Sequence, residues 1–298
     1  MPVDINRGTT GVALPLSVAT EIWGNMVEES AVMRAARRIN LPGNGVSIPV
    51  ITGDAAADWV DETDAKPVAR PTLANKTMTP YTLAVIVPFS NQFRRDLPAL
   101  YNELVRRLPN ALGSKFDSTV FGVGAAPGSN FDQLSGAPSL TVDSTATFAD
   151  LAAVVNAIAA AGGDLSAWIA SPALHGLLLT AVDSNGRQFF IPDPANSRTV
   201  GSVFGAPVYK TRATMPSGAG ATDDIIGFAG DFATSAVYGT VEGVQISISD
   251  QATLIDGEDT INLWQQNMFA VRAEVEIGFR VRDVNHFVKI NDGSADGS

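Results

Sequence analysis

The sequence predicts an α+β fold with one central helix-and-strand unit and one mixed domain. Three observations predict it. Asp96–Val123 carries a continuous apolar stripe at helical spacing. Met268–Arg282 alternates at strand period over far more than the usual five or six residues, a span of roughly 45 Å. Between them in character stands Gly53–Lys76, a long polar stretch with almost nothing to bury. A polar excursion and an over-long strand both read as parts that find their partners on other copies of the chain.

Bulk properties narrow the classes. The chain has 298 residues, 45% hydrophobic and 17% charged, enough for a proper core and too apolar for disorder. Its net charge of −11 argues against a protein that grips nucleic-acid backbone, which needs clustered Lys and Arg. There is no Cys, so disulfide, zinc-thiolate and thiol chemistry are excluded, and two distant His residues make a poor metal site. The N-terminus lacks a basic-then-apolar signal, and Leu165–Val182 is broken by Pro172, His175 and Gly176, so a soluble chain without a membrane span is expected.

In chain order, residues 1–15 read as an extended arm rich in Gly, Thr and Pro. Val18, Ile22 and Met26 predict a helix from Leu16 to about Met26, and Ser30–Ile39 a second helical turn ended by Pro42, Gly43 and Gly45. Val46–Ile51 leads outward as a strand and Thr77–Phe89 returns as one, which makes the polar stretch a long hairpin-like excursion. That stretch holds five acidic residues (Asp54, Asp58, Asp61, Glu62, Asp64) and three basic ones (Lys66, Arg70, Lys76). A structureless loop of this length is usually functional or ordered by a partner.

The long helix opens at Asp96 as N-cap with Pro98 in its first turn. Its stripe runs Leu97, Leu100, Tyr101, Leu104, Leu108, Leu112, Phe116 and Val120, and Pro109 predicts a kink near Arg106–Leu108. Gly122, Gly124, Pro127 and Gly128 end it and read as a flexible junction. Thr147 and Asp150 open an Ala-rich helix to Ala161 that stops at Gly162. Ala167–Ala170 reads as a buried strand, Ser171-Pro172 starts a helix to about Val182, and Asn185-Gly186 is a turn. Strands follow at Val208–Thr211, Ile225–Ala229, Val244–Ser249, the long run and Phe287–Ile290. In that run Phe269, Val271, Ala273, Val275, Ile277, Phe279 and Val281 share one face; Arg272, Glu274, Glu276, Arg280 and Arg282 share the other.

No catalytic constellation emerges. There is no G-x-S-x-G turn for a hydrolase, and His175 sits in apolar surroundings as a packed or capping residue. Phe121–Gly128 fits neither phosphate-loop pattern. Asp61, Glu62 and Asp64 lack the twelve-residue calcium loop and its final Glu. No cofactor, metal or enzymatic reaction is expected.

The ordered series of segments resembles the major capsid protein of tailed double-stranded DNA bacteriophages, with the Hong Kong 97 fold. The likeness rests on Trp59-Val-Asp-Glu62 with Lys66-Pro67, and on Ser90–Asp96 leading into the long helix. Trp168-Ile-Ala-Ser-Pro172, Asn185-Gly-Arg187, Phe204-Gly-Ala-Pro-Val208, Gly230-Asp-Phe232 and Gln266-Asn267 then follow in that order. The resemblance implies an N-terminal arm over 1–30 and an extended β-hairpin loop over 48–76. It implies a peripheral domain over 31–47, 77–134 and 250–279, with a spine helix at about 96–123. The axial domain would take 135–249 and 280–298. It also implies hexamers and pentamers that tile an icosahedral shell around packaged DNA, assembled in the host cytoplasm. The implied partners are a portal, decoration proteins, and, since Met1 leads almost directly into the arm, a separate scaffolding protein or none. The DNA would lie near without sequence recognition. Contacts between copies are expected at Trp59, Asp61, Glu62, Lys66, Arg70, Arg272, Glu274, Glu276, Arg280 and Arg282.

Some family members join subunits through a Lys–Asn isopeptide bond assisted by a Glu, and those residues match Lys66, Asn267 and Glu274. An uncharged amine attacks the amide carbonyl and ammonia leaves; a Glu in an apolar pocket has a raised pKa and takes the amine proton. Ordinary roles stand beside this one. Lys66 is then a solvated charge, Asn267 bonds backbone at the strand entrance, and Glu274 pairs with Arg272 or a neighbour's Arg280. Two other readings remain open: an encapsulin-like compartment with protein cargo, and a soluble hydrolase.

Overall fold

The computed structural model describes residues 16–53, 59–60, 66, 68, 72–92, 97–142, 147–182, 186–193, 199–216, 224–257 and 259–292. The first half comprises α1 (Leu16–Glu29), α2 (Ala31–Ala35), β1 (Arg37–Asn40), β2 (Val46–Gly53), β3 (Thr72–Met78), β4 (Tyr81–Ser90) and α3 (Leu97–Phe121). The middle comprises β5 (Ser139–Thr141), α4 (Thr147–Ala160), β6 (Ala167–Ala170), α5 (Pro172–Thr180), β7 (Ile191–Pro192), β8 (Thr199–Val203) and β9 (Ala206–Lys210). The last part comprises β10 (Ile225–Gly230), α6 (Phe232–Ser235), β11 (Ala236–Thr240), β12 (Gln245–Ser249), β13 (Thr253–Asp256), β14 (Asp259–Asn262), β15 (Met268–Val281) and β16 (Phe287–Asn291).

The long strand β15 is the spine of a five-stranded sheet. One edge pairs antiparallel with β4, from Met268–Ser90 to Ile277–Tyr81. The other edge is shared in tandem, β12 taking Ala270–Glu274 and β11 taking Ile277–Val281, with β1 parallel to β11 outside them. The expectation that this ribbon finds its backbone partners on other copies is therefore corrected. Its length is used up inside the chain by one long neighbour and two short ones. The alternation does hold: Phe269, Val271, Ala273, Val275, Ile277, Phe279 and Val281 are all buried.

α3 lies along that buried face with Leu104, Leu108, Leu112, Phe116 and Val120, and Phe116 meets Phe279 edge-on at 6.2 Å. The helix continues through the buried Pro109. Its end is a two-bond cap: Gly122 N–H donates to the Thr119 carbonyl and Val123 N–H to that of Ser118, with Gly122 at φ 98°. The junction that follows is held at two points. Gln133 donates to the carbonyls of Thr119 and Gly124, and a Cβ on Gly128 would enter the Tyr81 ring. The helix expected from Leu16 to about Met26 is present. Residues 16–29 form a helix packed on α3, with Ile22 and Met26 wholly buried; residues 1–15 lie outside the described residues.

β2 and β3 pair antiparallel from Val46–Met78 to Gly53–Thr72, forming the expected hairpin. The single returning strand expected over Thr77–Phe89 is two strands. It breaks at Thr79-Pro80, because proline has no N–H to continue a ladder, and passes from β2 to β15 as partner. The second helical turn stops at Ala35, and Arg37–Asn40 instead joins β11 as a strand.

The second layer is a seven-stranded sheet of order β5-β16-β10-β6-β9-β8-β7. α4 and α5 cover it with Leu151, Val154, Ile158, Leu174 and Leu178, all buried. Trp168 on β6 is fully buried and donates its indole N–H to the Val203 carbonyl at 3.2 Å. Ser171 caps α5 by accepting from Leu174 N–H. β11, β12 and the end of β15 pair in the five-stranded sheet rather than in this one. A two-stranded hairpin, β13–β14, was not expected at all.

Candidate assembly surface

Four large apolar side chains stand in solvent at the projections of this fold. Trp59 is 100% exposed, Val68 83%, Ile255 81% and Trp264 77%. Trp59 and Val68 belong to the hairpin excursion, Ile255 to β13, and Trp264 to the turn before β15. Exposed apolar groups on extensions, rather than scattered singly over a body, mark surfaces that bury elsewhere. Ile255 and Trp264 were missed in sequence reading. Gly257, at φ 63° directly after the paired Asp256, opens the turn and was the signal that would have revealed β13–β14.

The sequence-predicted residues scatter over this surface. Asp61, Glu62 and Arg70 lie outside the described residues. Lys66 is exposed. Asn267 is exposed at the entrance to β15 in a left-handed conformation, φ 55°. Its side-chain oxygen accepts from Asn91 Nδ2 at 2.8 Å, and its carbonyl from Asn91 N–H at 3.0 Å. Seven residues on along the strand, roughly 23 Å away at 3.3 Å per residue, Glu274 pairs with Arg272 Nε at 3.2 Å. Glu274 shares a recess of about 180 Å³ with Glu276, Glu242, Gln245 and Thr82. The apolar pocket expected around Glu274 is thus corrected to polar surroundings within its own chain. Arg272 also donates to Ser247, and Glu276 and Arg282 are exposed.

Arg280 works inside the chain. Its guanidinium meets Asp132 at 2.6 Å, Asn130 at 2.9 Å and the Thr77 carbonyl at 2.8 Å, so it ties β15 to the base of the hairpin and to the loop after α3. Lys76 reinforces the same point through the Val281 carbonyl at 2.8 Å.

Two buried polar knots hold the layers that carry the surface. Asp117 on α3 accepts from Ser30 Oγ, from Ala31 and Val32 N–H at the start of α2, and from Thr211 beyond β9. Burial pushes its carboxyl up to about 6, against the pull of those four donors. At the two crossings between sheets, Ser235 donates to Asp231 at 3.0 Å, and its oxygen lies 2.7 Å from His286 Nδ1. This is not a catalytic triad. The serine stands between acid and base and the acid does not orient the histidine, while all three are buried. His175, edge-on to Phe190 at 6.1 Å, is held below the usual histidine range by burial and then by Lys210. Among the described residues no group of acidic, His or Cys side chains could hold a metal ion, and no helix is long and apolar enough to cross a membrane.

Comparison with known proteins agrees with this architecture. The chain is 31% identical over 295 residues to "Probable major capsid protein gp17" of Mycobacterium phage L5, covering 93% of this chain and 88% of that protein. A structure from Gordonia phage Cozz superposes with a TM-score of 0.68 at 22% identity, covering 99% of this chain and 92% of the other. One from Mycobacterium phage Adephagia gives 0.67 at 21% identity, covering 90% and 91%. The model of the phage capsid family matches residues 10–292, and the chain belongs to that family.

Proposed function

We propose that this chain is the major capsid protein of a tailed phage and closes an icosahedral head from hexamers and pentamers around double-stranded DNA. The observation that carries this reading is the set of exposed apolar side chains on the hairpin, the β13–β14 hairpin and the turn before β15. A lone molecule leaves them in water; a tiled shell buries them. The net charge of −11 suits a wall that lies near the genome without binding it. Beyond other copies of the chain, a portal is the partner such a shell is proposed to meet. Electron microscopy of purified particles tests the reading: closed shells of uniform diameter with DNA inside agree with it, and shells filled with enzyme cargo turn it into the compartment alternative.

A second reading, a covalent bond between copies, is favoured by the Asn91–Asn267 contact. The donated hydrogen bond fixes the Asn267 amide and polarises its carbonyl, leaving the NH₂ free to depart. Lys66 Nζ of another copy, once neutral, forms the new C–N bond as the C–NH₂ bond breaks and ammonia leaves. The distance along β15 favours an assisting Glu274 from a different copy than the reacting Asn267, freed there from its pair with Arg272. A shell supplies that arrangement, and a single chain does not.

A further inference from the structure

The corner between α1 and α2 sits on one face of α3, over Gly113 and Asp117, one turn apart. Gly113 is buried, and a Cβ there would lie 3.4 Å from the Met26 carbonyl oxygen and 3.5 Å from Ser30 N, so its bare backbone lets the corner come close. α2 has only five residues, too few to hold as a helix by itself. Its first N–H groups are satisfied from α3: Ala31 N–H donates to Asp117 Oδ2 at 2.9 Å and Val32 N–H to Oδ1 at 3.4 Å. Ser30 Oγ donates to Oδ1, and Thr211 Oγ1, just beyond β9, donates to Oδ2 at 3.4 Å. One side chain of α3 thereby joins the corner to the seven-stranded sheet.

This carboxyl is buried without a counter-charge. It is 1% exposed, and among the described residues no cation pairs with it. The charged groups on the elements around it are Glu28 and Glu29 on α1, Arg34 on α2, Lys115 on α3, and Lys210 and Arg212 on either side of Thr211. None of them is buried. The balance at Asp117 is burial, which raises its carboxyl to about 6, against the four donors, which lower it. A bound proton is accommodated. The Ser30 and Thr211 hydroxyls already accept from Met33 and Ala213 N–H, and each keeps a second lone pair for a carboxyl O–H.

We propose that Asp117 is a proton-dependent latch on the α1–α2 corner, firm while the carboxyl holds its proton and looser once the proton has passed to water. The sign follows from the raised folded value. The closed corner binds the proton more tightly than the open one, so protonation favours closure and deprotonation favours opening. α2 leads directly into β1 at the outer edge of the five-stranded sheet, so the latch sets how firmly that edge is seated. The device operates within one chain and goes beyond the shell reading.

Hydrogen exchange of the unassembled full-length protein, followed by mass spectrometry at pH 5 and pH 7.5 and corrected for the chemical rate at each pH, tests it. Protection of α1–α2 is expected to fall about tenfold between the two, from a free value of 3.8 and a folded value of about 6. Protection of α4 and α5 is expected to stay unchanged, and Asp117→Asn is expected to abolish the fall in α1–α2. Equal protection at both pH values, a fall shared by α4 and α5, or a fall that persists in Asp117→Asn overturns the proposal and leaves the shell reading intact. If Asp117→Asn does not fold, Thr211→Val decides. It removes a bond that favours the charged form, so the midpoint of the fall is expected to move to higher pH, and an unmoved midpoint overturns the latch.

Discussion

Gly239 and Gly278 face each other in register across β11 and β15, and the Met78 side chain is wedged over the bare backbone of both. A Cβ on Gly278 would stand 2.8 Å from Met78 Cγ, and one on Gly239 2.9 Å from its sulfur. Met78 is fully buried and is the last residue of the hairpin, so this notch anchors the excursion to the sheet. Gly278→Ala is expected to destabilise the chain by about 1–3 kcal/mol through overpacking. The check is the urea midpoint of unassembled protein. Gly43→Ala, with no atom within 4 Å of the added methyl, is expected to leave the midpoint nearly unchanged.

Asp117 gives a pH dependence with a defined sign. Its folded-state carboxyl is raised from 3.8 to about 6, so the folded chain holds this proton more tightly than the unfolded chain does. The stability it contributes is complete below about pH 4 and falls as pH rises through 6, by roughly 3 kcal/mol for a shift of about two pH units. Asp117→Asn is expected to remove this component. The difference in unfolding free energy between the wild type and the variant, measured from pH 4 to 7, reports it free of the other carboxylates.

Arg280 bridges three segments by a planar fork that an ammonium cannot reproduce. Arg280→Lys is expected to cost about 2 kcal/mol, from charged hydrogen bonds lost to Asp132 and Asn130. Arg272→Lys, at an exposed pair with Glu274, is expected to cost less than about 0.5 kcal/mol. Paired thermal or urea unfolding curves compare them.

Isopeptide formation has a plain readout. On the covalent reading, denatured wild-type shells run as a ladder above 31.2 kDa, and Lys66→Arg or Asn267→Asp shells as a single band at that mass. A single wild-type band removes the covalent reading while leaving assembly untouched.

Elements whose stabilising face is local were legible in the sequence. The stripe from Leu104 to Val120, the alternation from Phe269 to Val281 and the Ser171 cap all appear as expected. Elements defined by a distant partner were not. Arg37–Asn40 reads as helix until β11 is seen beside it, and Ala236–Thr240 is buried throughout, so it shows no alternation to find. The long strand was correctly outlined but its partners were misjudged, because a sequence shows length and not which edges are filled. At the surface, Trp59 was anticipated. A recess between the end of α3 and the start of β4 was not, since Tyr81, Phe116 and Ile277 come from three elements and meet only in the fold.

The central claim is that a single copy is incomplete at its projections. The most direct test is a high-resolution electron-microscopy map of purified particles. The expected map shows a closed icosahedral shell in which Trp59, Val68, Ile255 and Trp264 of each subunit are buried against adjacent subunits. A chain that sediments as a monomer at high protein concentration, with Trp59 still open to solvent, would contradict it.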